Sequence, residues 1–473
     1  MSIPDSIDYT SILPMAVESR TRRRGFVPSN GAVFISDRNN IVEIPVNASA
    51  FLDTKHSYLR FDLVNSTAQT LGLDYGGGHG CINRLRILQG GTVLSDCREY
   101  AKLLSSIILP VSANETNLAT RSIKEGQRYA NAGGAAGMAV AVAAEITGAA
   151  GNTPTNSNNS TAAAAAGSKY QICIPLLSGL IGTTQDKLIP LFLLNSSPLV
   201  IEITMSQTLD LGTYGGAAGV GWTMQDVRYM AALVETGPEV EEQVRMVQRE
   251  SQGRLVLNGV DYTHHTGNIA ANTIGRVSLA LPVRKKSIKS VLFSGGTRAF
   301  AAPLQQNCYN LSYGGHMNMS EYQLSVGSRR IPEIPVGFQA FGGGSIGNKA
   351  QYFEELAKCF GETQSIHGLG VQTRINNSNQ SGNNAGIAAP SAGGAACASH
   401  VFCPFGIDCE AFQPDGKGGG ALESGVDTAT HSTPMALNLD LGAGVAQAMV
   451  VDMYVVHDSL YFIDEVGNLR VSL

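Results

Sequence analysis

The chain of 473 residues is long enough for two domains of roughly 200 residues, each with its own core, and 43% of it is apolar while only 15% is charged. A net charge of −5 excludes the broad basic face that general nucleic-acid binding requires, and eight cysteines are too few for a disulfide scaffold. No apolar run approaches the roughly 20 residues of a membrane-spanning helix, and Met1-Ser2-Ile3-Pro4-Asp5 lacks the basic and apolar regions of a signal peptide, so reduced thiols in a cytosol-like compartment are expected.

The first dense feature along the chain is basic. Arg20, Arg22, Arg23 and Arg24 precede the first strand signal, Val33-Phe34-Ile35, and are read as part of an N-terminal arm over residues 1–30. Such a cluster suits contact with something anionic: a genome, membrane head groups or an acidic partner. The plainer reading is a solvated arm, or arginines paired with carboxylates of a neighbouring subunit.

Strand signals then dominate. Leu59, Phe61 and Leu63 alternate with Arg60 and Asp62, and Leu85 and Ile87 alternate with Arg84 and Arg86. Gly76-Gly77-Gly78-His79-Gly80 between them lacks the Lys-Ser/Thr of a phosphate loop and does not lead into a helix, so it reads as a flexible turn. Tyr100, Leu103, Leu104, Ile107 and Ile108 form a helical stripe, with Asp96 and Glu99 as its capping box and Pro110 as its end. Residues 111–168 are rich in Ala, Gly, Ser and Asn and are read as an insertion. Ile201, Ile203 and Met205 return to alternation, and the charged stretch Glu239 to Glu250 reads as a helical linker, placing the domain boundary at 237–250.

The second half follows a similar course. His264 and His265 are neighbours in a strand pattern, so they point to opposite faces and do not share an ion. Val277, Leu279 and Leu281 alternate, Phe353, Leu356 and Phe360 form a short helical stripe, and residues 376–399 are a second Gly/Ala/Asn-rich loop. Cys397, His400, Cys403 and Cys409 are the only candidate metal ligands. Their Cys–Cys gaps of six do not make the paired knuckles of a zinc site, so free thiols are the better reading. Met435, Leu437, Leu439 and Leu441 close the series. No His-Glu-x-x-His or His-x-His occurs; no catalytic residue, cofactor or small-molecule substrate is assigned, and the chain is not expected to be an enzyme.

The halves share a plan. Arg84-Leu85-Arg86-Ile87-Leu88, a turn at Gly90-Gly91, Val93-Leu94 and a short helix correspond to Tyr322-Gln323-Leu324-Ser325-Val326, a turn at Gly327-Ser328, Ile331 and a short helix, each followed by a loop poor in charge. Many short alternating strands with Gly, Pro and Asn between them indicate antiparallel sandwiches.

Cys81-Ile82-Asn83-Arg84-Leu85-Arg86-Ile87-Leu88, with Gly90-Gly91, Val93-Leu94-Ser95-Asp96 and Tyr100-Ala101-Lys102-Leu103-Leu104 after it, resembles the first jelly roll of double jelly-roll major capsid proteins. These build the shells of virophages, polinton-like viruses and large eukaryotic DNA viruses. Ile174-Pro175-Leu176-Leu177-Ser178-Gly179-Leu180, Leu188-Ile189-Pro190-Leu191-Phe192 and Leu199-Val200-Ile201-Glu202-Ile203 are similar to the strands that close that roll, as Leu281-Pro282-Val283-Arg284-Lys285 is to an early strand of the second. The resemblance runs from about residue 30 to the end and implies an all-β chain of two consecutive eight-stranded jelly-roll sandwiches with a few short helices. The first roll would span 31–236 and the second 251–473.

It further implies a homotrimer forming a pseudo-hexameric capsomer of an icosahedral virion, with neighbouring capsomers, penton and minor capsid proteins as partners. Synthesis would be in the host cytosol. The loops 111–168 and 376–399 would face outward, and the arginines of the arm inward toward a minor protein, a membrane or the genome. The competing reading is a jelly-roll carbohydrate-binding or adhesion protein, against which stand a 7% aromatic content and a single tryptophan.

Overall fold

The computed structural model describes residues 19–36, 38–65, 71–73, 76–112, 121, 124–126, 160–161, 169–183, 187–207, 222–296, 311, 317, 319–338, 350–360, 404–410, 425–430, 433–442 and 448–472. The first half contributes β1 (Ser19–Phe26), β2 (Val33–Ile35), β3 (Ile41–Val46), β4 (Phe51–Asn65), β5 (Leu71–Gly72), β6 (Ile82–Gln89), β7 (Thr92–Arg98), β8 (Ser160–Thr161), β9 (Lys169–Ile174), β10 (Ile189–Pro190), β11 (Leu199–Met205) and β12 (Trp222–Thr236). The second half contributes β13 (Leu255–Ile269), β14 (Gly275–Leu281), β15 (Ile288–Gly296), β16 (Met319–Val326), β17 (Arg329–Gly337), β18 (Phe405–Asp408), β19 (Met435–Leu441), β20 (Met449–Ile463) and β21 (Leu469–Ser472).

The strand order repeats. In the second half one sheet runs β13-β20-β15-β18 and the other β14-β19-β16-β17. In the first half one sheet runs β1-β12-β4-β10, with β2 on β12 and β9 on β4, and the other runs β3-β11-β6-β7. Counting β1 with β2, and β9 with β10, as single interrupted strands, both halves place strands one, eight, three and six in one sheet and two, seven, four and five in the other. That is the jelly-roll order, with every ladder between these strands antiparallel. The chain is therefore a double jelly roll.

The period-2 pattern sets the registers. In β19, Met435, Leu437, Leu439 and Leu441 are buried and the residues between them are half-buried. The pairs Leu437↔Leu279 and Leu437↔Leu324 then place one buried row across three strands. In β6, Leu85 and Ile87 are fully buried, while Arg84 and Arg86 turn outward to Asp96 and Glu202 on the flanking strands. Phe293, Tyr322, Phe338, Tyr352 and Phe405 form an aromatic cluster in the second core, with ring centroids 5.0–5.6 Å apart.

Among the described residues, three longer helices accompany the rolls. Residues 100–112 form α1, whose middle turn, Leu104–Ile108, is a π-helix. Pro110 does not end it: the widened turn precedes the proline and the helix continues to Ser112. Nor does Asp96 cap it, because its carboxylate is taken by both arms of the Arg84 guanidinium at 2.6 Å. The helix instead starts after Glu99, which sits at φ 51°. Helix α2 (Pro238–Glu250) connects the rolls and begins with Pro238 in its first turn. Helix α3 (Ala350–Lys358) packs Tyr352 and Leu356 into the second core.

Two further expectations need correction. The arginine cluster is no free arm: Ser19–Phe26 is strand β1, paired with β12 from Ser19↔Thr236 to Phe26↔Tyr229. As an edge strand with only Phe26 buried, β1 has no reason to alternate, and so carries no strand pattern. The segment 111–168 is not wholly peripheral. Ser160 pairs with Gly72, and Glu125 is buried in the first roll with Arg121 at 3.0 Å and Lys124 at 3.7 Å. The loop 376–399 lies outside the described residues.

Candidate assembly surfaces and the junction between the rolls

The rolls meet through three groups of contacts that join distant stretches of sequence. The first centres on Gln89 at the β6–β7 turn. Its side-chain amide donates to the Ser197 carbonyl at 3.1 Å and the Gly467 carbonyl at 3.0 Å, and its oxygen accepts from the Leu469 N–H. Ser196 Oγ also donates to the Gly467 carbonyl, at 3.0 Å. The β20–β21 turn is thereby bound to the first roll, and Gly467 is required there by its φ of +90° and by first-roll backbone 2.6 Å from where a Cβ would sit.

The second group is buried. Ser95 Oγ on β7 donates to Asp261 Oδ1 on β13 at 2.9 Å and accepts from the Gly179 N–H at 3.3 Å. Thr183 Oγ1 donates to the Gly179 carbonyl at 3.0 Å and accepts from the Val260 N–H at 3.2 Å. Here backbone meets backbone: a Cβ on Gly259 would lie 1.8 Å from the Gly179 carbonyl oxygen, and one on Gly179 would lie 2.1 Å from the Tyr461 hydroxyl. Burial raises the Asp261 carboxyl above its ordinary value, against the amides of Tyr262 and Gly179, the Ser95 hydroxyl and the Lys285 ammonium. The Lys285 ammonium is itself lowered by burial.

The third group holds the ends. Tyr454 OH donates to the Glu99 carbonyl at 3.0 Å. From α2, Gln248 Nε2 donates to the carbonyls of Ile463 at 3.1 Å and Asp464 at 2.9 Å, and Arg245 lies 5.8 Å over the Phe192 ring. Each of these residues is ordinary in sequence, and only the fold brings them together.

The arginines of β1 remain mostly accessible. Arg22 reaches Glu235 at 3.3 Å with both side chains substantially exposed, Arg23 lies 5.6 Å from the Tyr58 ring and Arg24 4.9 Å from the Phe26 ring. Arg20 is exposed beside them. Val27, Val33, Ile35 and Ile41 are exposed in the same stretch of chain, and β1 and β3 are sheet edges, so cations and aliphatic side chains together mark this side of the first roll.

The other sequence candidates disperse. Cys397, His400 and Cys403 lie outside the described residues. Cys409 is packed against the core with its thiol pushed up to about 12 by burial, the behaviour of a structural cysteine. His264 bonds Asp452 at 2.9 Å, and His265 faces the other way, lowered by burial and by the neighbouring His264 and Arg98. Gly76-Gly77-Gly78-His79-Gly80 is a buried turn and not a flexible one. Cβ atoms on Gly76 and Gly78 would collide with Ser105 Oγ at 1.9 Å and Ile172 Cγ2 at 2.4 Å, and burial pushes His79 down to about 3. Among the described residues no group of three His, Cys, Asp or Glu side chains is placed to hold a metal, and no helix is long and apolar enough to cross a membrane.

No protein-family model and no curated protein sequence matches the chain. Solved structures do. PBCV-1 VP54, fitted into a cryo-EM reconstruction of the virophage Sputnik, aligns with a TM-score of 0.59 at 10% identity, over 98% of this chain and 99% of that one. A quasi-atomic model of the PBCV-1 virus capsid aligns at 0.55 and 9% identity, over 98% and 99%. The Faustovirus major capsid protein aligns at 0.52 and 9% identity, over 95% and 91%. Likeness at this identity is likeness of fold, and the alignments cover both halves of the chain.

Proposed function

We propose that this chain is a major capsid protein that forms homotrimeric, pseudo-hexameric capsomers tiling an icosahedral virion of a DNA virus. The observation that supports this most is the repetition of one strand order in two rolls held across a buried junction, over the full length of capsid-protein folds. Three chains, each presenting two similar bodies, approximate sixfold shape with threefold symmetry, which is what tiling with six neighbours requires. The chain then works by assembly, without substrate or cofactor. Its partners are two copies of itself, neighbouring capsomers, and penton and minor capsid proteins. Trimer contacts are expected in the obligate class above ~2,000 Å² and capsomer–capsomer contacts in a smaller, more polar class.

The exposed arginines and aliphatic residues around β1 to β3 are the best-supported contact surface. In this reading Arg20, Arg22, Arg23 and Arg24 face the capsid interior and meet a minor protein, a membrane or the genome. Synthesis takes place in the host cytosol and the mature location is the virion.

Electron microscopy and sedimentation of the purified protein test the reading. Hexagonal particles roughly 70–80 Å wide are expected from six packed sandwiches, with a mass three times the 49.7 kDa of the chain. A stable monomer, or glycan binding by a single undivided body, would instead support the carbohydrate-binding or adhesion reading.

A further inference from the structure

The second roll contains a buried cluster of three side chains that neither the strand order nor assembly explains. Lys289 lies at a register break between Ile288 and Ser290 on β15, and all three residues are buried in succession. Because β15 runs between β20 and β18, the lysine is met by an acid from each side. Glu410, just past β18, places Oε1 2.9 Å from Nζ, and Asp458 on β20 places Oδ1 3.6 Å from Nζ. The side chains of Lys289, Glu410 and Asp458 are 6%, 13% and 5% exposed.

The backbone around them is fixed. Ser287 Oγ donates to Asp458 Oδ2 at 2.5 Å, the Asp458 N–H donates to the Ser287 carbonyl at 3.0 Å, and the Cys409 N–H donates to the Lys289 carbonyl at 2.7 Å. A buried ammonium needs one carboxylate for charge balance, so the second acid is in excess unless it carries a proton. Burial raises both Glu410 and Asp458, opposing the pull of Lys289. An amine, a neutral carboxyl and a carboxylate held together away from water are the groups that amide formation needs.

We propose that Lys289 and Asp458 become joined by an intramolecular isopeptide bond, with Glu410 transferring the protons. The Glu410 carboxylate takes a proton from the Lys289 ammonium. The freed Nζ attacks Cγ of the neutral Asp458 carboxyl and forms the C–N bond. Glu410 returns its proton to the departing hydroxyl, which leaves as water, and then takes the surplus proton of the amide nitrogen. Ammonium, carboxylic acid and carboxylate thus become amide, water and carboxylic acid, with no oxidant, reductant or cofactor. Net charge is zero before and after, and no ion remains in the buried site. The bond ties strand three to strand eight of the second roll.

The mass of the full chain decides. Purified from folded protein and measured after denaturation and reduction, the wild type is expected to be lighter than its sequence mass by one water, with fragmentation joining a Lys289 peptide to an Asp458 peptide. Lys289→Arg and Glu410→Gln chains are expected at their full sequence masses, with circular dichroism reporting the sheet content. A folded wild-type chain at full sequence mass overturns the proposal. So does a water loss that persists in Lys289→Arg, or a cross-link mapped to other residues. The wild-type mass is decisive even if a variant fails to fold.

Discussion

Asp261 is the residue through which the junction is expected to respond to pH. Its carboxyl is raised in the folded chain because burial outweighs the donors around it. The folded state therefore holds the proton more tightly than the unfolded one. The stabilising contribution is complete below the unfolded value of about 3.9 and is lost as pH rises through the folded value. Asp261→Asn retains an oxygen to accept from Ser95 and from the Tyr262 N–H and removes the ionisation. The variant is expected to melt at or above the wild-type temperature at neutral pH, and to lose less stability as pH rises from about 4 to 7. Glu410 is raised as well, as is Asp458 in any chain where it has not been joined to Lys289, so the informative quantity is the difference between variant and wild type at each pH. Parallel profiles from thermal melts across that range would show that Asp261 is not the titrating group.

At the scale of elements, β1 changes how the arginine cluster is to be tested. Removing residues 1–26 strips the strand that covers the β12 edge and takes away Phe26, which is 7% exposed. A loss of about 3 kcal/mol or more is expected from the aromatic ring alone, so a truncated chain that assembles poorly says nothing about charge. Replacing Arg20, Arg22, Arg23 and Arg24 together by Gln keeps the strand. Among the described residues only Arg22 forms an ion pair there, with side chains 49% and 34% exposed, and Arg23 and Arg24 lie over aromatic rings, so the combined cost should stay near about 2 kcal/mol in chemical denaturation. Trimers are expected to persist while shell formation falls, and normal shell yield would remove the proposed role of these cations. The same strand shows where sequence reading stops. Strands such as β6 and β19 were legible because one face is dry and the other wet, which imposes a period of two. β1 is wet on nearly all its length and gives no period, whereas β20 is covered on both faces from Val451 to His457 and shows sustained alternation only toward its end, from His457 to Ile463. The jelly-roll repeat was therefore readable from its middle strands and turns. The junction was not, because Ser95 and Asp261 stand 166 positions apart and neither has a neighbour in sequence that marks its role.

For the whole molecule, on the proposed reading as a trimeric capsomer, the decisive quantity is the angle between the rolls. Trimers approximate a hexagon only if every chain presents its two bodies in the same relative orientation, and a small rotation repeated three times opens the ring. The polar contacts at the junction could stretch or exchange with water, but the approach of Gly179 to Gly259 cannot. A methyl group on Gly259 would enter the space of the Gly179 carbonyl oxygen, at 1.8 Å, and backbone held by Ser95 and Thr183 has no rotamer with which to move aside. Gly259→Ala should thus cost about 1–3 kcal/mol or more as overpacking, and relieving it requires the rolls to part. Gly237→Ala is the matched control, since a methyl there meets nothing within 4 Å and the residue, at the start of α2, has an ordinary φ of −62°. Its expected cost is under about 1 kcal/mol. With both variants folded by far-ultraviolet circular dichroism, sedimentation should show trimers for Gly237→Ala and mainly single chains for Gly259→Ala. Wild-type trimer content in Gly259→Ala would mean that the junction can open without disturbing the ring, and that something other than the glycine contact sets the geometry of the capsomer.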